Sequence, residues 1–154
     1  MADLRAVLQK TIDAFVENNT LAVKKKDSSL FSAVLADDCV RIYRPRSFVE
    51  RYPQFFKAQI TNADYEAQMK IELQTMQDVS QKITRTVIDT TERRAVIWSE
   101  QTITTPSGAQ NQVELLWDLS FTEDGTRVTQ IQEFVDTFEA TKLLEQMLSK
   151  AGVK

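Results

Sequence analysis

Gln112–Thr137 reads QVELLWDLSFTEDGTRVTQIQEFVDT, and its periodicity decides the fold. Val113, Leu115, Trp117, Leu119 and Phe121 alternate with Glu114, Leu116, Asp118 and Ser120. This is period two, the signature of a strand with one buried face. Thr122-Glu123-Asp124-Gly125-Thr126 then forms a hairpin turn, with glycine where a positive φ is needed. The second strand carries Val128, Thr129, Ile131, Phe134 and Val135, β-branched and aromatic residues that suit a pleated surface. On it, Ile131, Glu133 and Val135 share one face; Gln130, Gln132, Phe134 and Asp136 share the other. If the first face is buried, Glu133 is a carboxylate among apolar neighbours, where desolvation favours the protonated form and suits a general acid or base. If it is a rim position, Glu133 simply points into water.

Upstream of this hairpin, Arg94–Thr105 reads as a long strand, with Val96, Trp98 and Glu100 on one face and Ala95, Ile97, Ser99 and Ile103 on the other. Ile83–Asp89 pairs with it through the Thr90–Arg93 turn, and Pro106-Ser107-Gly108 leads into the central hairpin. Four consecutive strands therefore form an antiparallel meander. Before them, Asp3–Lys25 has the 3.6-residue periodicity of an amphipathic helix in Leu4, Leu8, Ile12 and Phe15. Asp27-Ser28-Ser29 caps a short helix carrying Leu30, Phe31, Val34 and Leu35, which Asp37-Asp38 ends. Cys39–Arg44 is a strand stopped by Pro45, with Arg41 beside Tyr43 on one face. Arg41 there is either a cavity cation or a surface arginine on an edge strand. Arg46–Gln59 is irregular or short-helical, anchored by Tyr52, Phe55 and Phe56, and could form a lid. A helix from Asn62 to about Met76 aligns Tyr65, Met69, Leu73 and Met76, residues suited to core or to an adaptable pocket wall. Phe138–Lys150 closes the chain as a helix, ended by Gly152. The expected class is α+β: a cone-shaped, curved antiparallel sheet with helices on its concave side.

Composition narrows the chemistry. At 154 residues one domain spanning 1–154 is expected, with ordinary hydrophobic (42%) and charged (27%) fractions. The net charge of −3, with Lys24-Lys25-Lys26 as the one basic run, gives nucleic-acid binding no electrostatic support. No run approaches the ~20 apolar residues of a membrane span, and no signal-like N-terminus is evident, so a cytoplasmic protein is expected. The chain has no histidine and a single cysteine, Cys39. Imidazole bases, Ser–His or Cys–His catalysis and histidine- or thiolate-rich metal sites are therefore excluded. Acid–base work falls to carboxylates, tyrosine, lysine or Cys39, and no metal or cofactor is expected.

Several segments together resemble the SnoaL-like branch of the nuclear transport factor two / ketosteroid isomerase-like superfamily. They are Leu35-Ala36-Asp37-Asp38-Cys39-Val40, Arg94-Ala95-Val96-Ile97-Trp98, Glu114–Phe121 and Val128–Asp136. The last two are similar to a pattern common in its small fungal members, which include cofactor-free isomerases and cyclases of natural-product pathways, alkaloid pathways among them. The resemblance implies a cavity arginine, matched by Arg41, and a glutamate on the last strand, matched by Glu133. Arg41 would stabilise a developing oxyanion while Glu133 moves the proton. Tyr43, Tyr65, Met69, Trp98, Leu115 and Trp117 would shape the pocket. Asn111 and Leu115 stand where the family's tyrosines are expected. The expected function is a cofactor-independent isomerase or cyclase acting on a bulky apolar metabolite by acid–base, semipinacol-type or related chemistry. The alternative is a non-catalytic binding or dimerisation module of the same fold. An epoxide hydrolase, which needs an Asp–Arg–Asp cluster, ranks last. The expected partners are a small-molecule substrate and a second copy of the chain, docked through apolar residues on the convex sheet face.

Overall fold

A computed structural model describes residues 3–150 and Gly152. The chain runs α1 (Leu4–Lys25), β1 (Leu35–Arg44), α2 (Arg46–Arg51), β2 (Gln59–Thr61), α3 (Asn62–Glu72), β3 (Asp78–Asp89), β4 (Arg94–Thr104), β5 (Gln110–Phe121), β6 (Val128–Val135) and α4 (Thr137–Lys150). The six strands form one sheet in the order β2-β1-β6-β5-β4-β3. The α+β class and the β3–β6 meander are as the alternation predicts.

Three local expectations need correction. β1 pairs with β6 in parallel, so the sheet is mixed rather than wholly antiparallel. Four strands separate β1 from β6 along the chain, and β6 then runs beside β1 in the same direction. Leu35–Asp38 is strand, not helix: the 3₁₀ turn Ser28–Ser32 ends early, and an irregularity between Leu35 and Val40 absorbs the two aspartates. α3 stops at Glu72, after which Leu73–Thr75 tightens into a 3₁₀ turn. Its N-cap is Thr61, whose hydroxyl accepts from the Asp64 N–H at 3.2 Å, rather than Asn62.

α1 shows why the helices lie where they do. Asp3 caps it by accepting the Arg5 N–H at 3.1 Å. Lys26 ends it in the left-handed region, its N–H returning to the Ala22 and Val23 carbonyls. Between these stops Leu8, Ile12 and Phe15 lie fully buried against Ile97, Trp117, Leu119 and Ile131 of the sheet. Each such side chain contributes about 1.5–3 kcal/mol by leaving water. Phe15 meets Trp117 edge to face, ring centroids 5.2 Å apart. The β5–β6 turn is tied to this helix: the Thr11 hydroxyl donates to the Gly125 carbonyl at 2.7 Å. Gly125 has φ +75°, and a Cβ there would stand 3.0 Å from Leu8 Cδ2. Positive φ and close approach both require the glycine.

Phe31, Tyr43, Val49, Tyr65, Met69 and Ile103 form a second buried cluster, farther along the same concave face. A third, Phe48, Tyr52, Ala140 and Leu144, joins α2 to α4. The space between these two clusters and the sheet is the cavity described next.

Candidate active site

Strand register places the central residues. Tyr43 on β1, Glu133 on β6, Trp117 on β5 and Ile97 on β4 are successive cross-strand partners. Residues directly opposite each other on neighbouring strands share a face and touch. The Trp117 indole N–H accordingly donates to Glu133 Oε1 at 2.8 Å. Arg41, two residues before Tyr43 on the same face, donates from Nη1 to the same oxygen at 3.0 Å. Glu133 Oε2 has no donor among the described residues.

Arg41 is 3% exposed and Glu133 15%. The guanidinium stacks on the Tyr65 ring, 3.7 Å from its centroid, and Nη2 is buried without a partner among the described residues. A carboxylate stranded among apolar groups is therefore not what β6 presents. Glu133 belongs to a buried ion pair well inside the ~6 Å over which a charge acts strongly on its neighbour.

A cavity of about 170 Å³ opens beside this pair. Glu133, Tyr43, Tyr65, Met69, Leu115 and Trp117 line it. Arg41 does not: it lies behind Glu133 and Tyr65, so a ligand would meet the carboxylate rather than the guanidinium. Burial holds both phenols above their ordinary pKa; the charges of Tyr65 and Glu133 add to the effect on Tyr43, and the Arg41 guanidinium opposes it on Tyr65. Neither hydroxyl has a hydrogen-bond partner among the described residues, so both can donate to a ligand. Burial also pushes the Cys39 thiol up to about 11, which makes it a core residue rather than a nucleophile.

Two expected wall residues lie elsewhere. Trp98 is on the outer face, in register with Leu116, which is in register with Phe134. Its neighbours Ile97 and Ser99 take the inward positions, and period two sends Trp98 outward. Asn111 shares the parity of Val113 and Trp117 but sits in a polar groove at the sheet's end with Gln110 and Gln112, outside the cavity.

One carboxylate escaped the sequence reading. Glu72 lines the cavity from α3, opposite in origin to Glu133, with Gln68 donating to its Oε1 at 2.7 Å. The signal was present: Tyr65, Met69 and Glu72 are spaced i, i+4, i+7 on one helical face. Burial raises its pKa, Gln68 opposes this, and the Glu133 charge adds to the rise. A carboxyl whose folded pKa lies above its unfolded value holds its proton longer in the native state. Native stability is thus unaffected below about 4.5, the ordinary value for the group, and is lost as pH climbs toward the raised one. Glu72→Gln should remove that loss. Thermal unfolding should find the variant more stable than wild type at about pH 8, and the difference should shrink toward about pH 4. A pH-independent difference would contradict the assignment.

Among the described residues no grouping of histidine, cysteine, aspartate and glutamate could hold a metal ion, and no helix is long and apolar enough to cross a membrane. No protein-family model and no curated protein matches the chain. Solved structures do. BvnE pinacolase from Penicillium brevicompactum superposes with a TM-score of 0.82 at 18% identity, covering 97% of this chain and 99% of that one. An NTF2-like protein of unknown function from Burkholderia pseudomallei gives 0.64 at 16% identity, covering 89% and 96%. A Mycobacterium tuberculosis LEH-like epoxide hydrolase gives 0.60 at 16%, covering 95% and 96%. The chain has the nuclear transport factor two-like fold that the sequence resemblance implied.

Proposed function

We propose that this chain is a cofactor-independent isomerase or cyclase of an apolar metabolite, working in a fungal natural-product pathway with Glu133 as its proton-transfer group. One observation carries the reading. A carboxylate stands on an apolar cavity wall with one oxygen held by two N–H donors and the other left for a ligand. Oε2 takes a proton from a substrate hydroxyl, or from carbon beside a carbonyl. The Tyr43 or Tyr65 hydroxyl donates to the oxygen on which charge develops. Returning the proton to another atom of the same molecule completes an isomerisation, with nothing consumed. Arg41 acts through Glu133, holding its Oε1 by a hydrogen bond, and so is a positioning residue.

The likeness to a pinacolase supports rearrangement chemistry of the semipinacol kind. An open cavity, where side chains could have filled the space, favours catalysis over a purely structural module. The epoxide hydrolase reading gains nothing, since among the described residues Arg41 pairs with one carboxylate only. The volume, about 170 Å³, is below the ~300–1,000 Å³ of pockets for drug-sized ligands. A bulky substrate therefore requires the α2–α4 side, where Phe48, Phe56 and Leu144 line the cavity, to yield.

The test is a small flat probe that needs only a base. In the Kemp elimination of 5-nitrobenzisoxazole, a base takes the ring C–H proton, the N–O bond breaks, and a coloured phenolate nitrile is released. The protein should accelerate this saturably, well beyond an equal concentration of acetate. A rate matching acetate would sink the reading.

The reading includes a homodimer. Trp98, Leu116 and Phe134 form an apolar row across β4, β5 and β6 on the convex face, and Phe134 is 44% exposed. Light scattering at micromolar concentration should give twice the chain mass, and Leu116→Arg should halve it. A monomeric wild type would refute the dimer.

A further inference from the structure

Two glutamates face one cavity, and only one has a cation. Glu133 is paired with Arg41 at 3.0 Å. Glu72 accepts an amide N–H from Gln68 and forms no ion pair with any described lysine or arginine. Arg44 also touches the cavity and pairs with neither glutamate. Burial and the Glu133 charge favour the protonated form of this second carboxyl, against the Gln68 hydrogen bond. A ligand that brings its own positive charge would resolve the same conflict by pairing.

The rest of the lining suits such a ligand. Gln68 spends its amide N–H on Glu72, and Gln81 spends its own on the Ser99 hydroxyl at 3.0 Å. Both amides line the cavity, and neither carbonyl oxygen accepts a hydrogen bond among the described residues. With the Glu72 carboxylate they provide three acceptors, and a primary ammonium has three N–H donors. The apolar wall is ring-rich: Phe31 packs edge-on to Tyr65 at 5.4 Å and Phe56 to Tyr43 at 4.8 Å between centroids. Aromatic faces attract cations as well as apolar bodies.

We propose that the cavity binds a protonated amine, its apolar body against the Tyr43–Phe56 and Tyr65–Phe31 rings and its ammonium group against Glu72. The substrate class of the site is then an apolar amine, which extends the proposed function by naming what enters the cavity. Glu133 and Glu72 divide the work: the first moves a proton, the second holds the ligand.

Phenethylamine and its neutral isostere 2-phenylethanol, titrated calorimetrically into the full chain at about pH 7.5, separate the roles without knowledge of the natural substrate. Wild type should prefer the amine by at least about tenfold, the size expected of a hydrogen bond to a charged group. Glu72→Gln should lose the preference and keep its affinity for the alcohol, which also shows that the cavity is intact. Glu133→Gln should keep the preference. Equal affinities in wild type, binding of neither probe, or a preference that survives Glu72→Gln would each overturn the proposal. Should Glu72→Gln lose the alcohol too, Glu72→Asp decides, because it must retain the preference. Amine selectivity without Kemp turnover would leave this inference standing and remove the catalytic one; turnover without selectivity would do the reverse.

Discussion

Arg41→Met will cost about 3–5 kcal/mol of folding stability, the usual penalty for removing one member of a buried ion pair. The urea midpoint should fall at an unchanged m-value. The guanidinium is 3% exposed, bonded to Glu133 and stacked on Tyr65. Removing it leaves the carboxylate of Glu133 with one donor, Trp117 Nε1, in a site largely closed to water. The loss belongs to the stranded charge more than to the contact. The Arg41→Met/Glu133→Leu double variant should therefore recover most of it, giving a coupling of ~0.5–3 kcal/mol or more in a double-mutant cycle. A single-variant loss under about 1 kcal/mol would mean that the pair behaves as a surface one.

Glu133→Gln will lower Kemp turnover by ~10²–10⁴-fold, the contribution expected of a general acid–base residue. The substitution keeps shape and volume. The amide oxygen can still accept from Trp117 and Arg41, so the fold should persist. Stability should nonetheless drop by on the order of 1–3 kcal/mol, because the Arg41 guanidinium loses its counter-charge while staying buried. Circular dichroism separates this from unfolding. Arg41→Lys should lower turnover less than Glu133→Gln, and the two losses combined should be less than additive, since Arg41 acts through Glu133. Unchanged turnover in Glu133→Gln would remove the residue from the chemistry.

Period two told which residues of β6 share a face, and the apolar flanks Ile131 and Val135 raised a buried placement for Glu133 against a rim position without deciding between them. Glu133 was legible as a candidate for that reason. The same rule failed at Trp98 because β4 is apolar on both sides: Val96 and Trp98 compete with Ala95 and Ile97, and alternation cannot say which set is buried. The neighbouring strand settles it, by setting Ile97 opposite Trp117. Glu72 was missed for a different reason. A polar residue on a helix reads as solvent-facing unless the apolar stripe beside it is known to line a void. β2, three residues long, is below the length at which any period shows, and its pairing with Val40–Ile42 is purely tertiary. The parallel β1–β6 pairing likewise leaves no local trace, since it joins segments some ninety positions apart.

The cross-strand register of Tyr43, Glu133 and Trp117 has an evolutionary consequence. Their mutual positions are set by backbone ladders, which side-chain changes elsewhere barely disturb. Glu72, Gln68, Phe48, Phe56 and Leu144 come instead from helices and connecting segments that meet the sheet through side-chain packing. One part of the cavity is frame and the other is upholstery. Descendants of such a protein can exchange ligands by rewriting α2, α3 and α4 while the proton-handling row stays in place. They can equally lose that row in one substitution and keep the ligand. Catalysts and mere carriers are then neighbours in sequence space, a single strand residue apart.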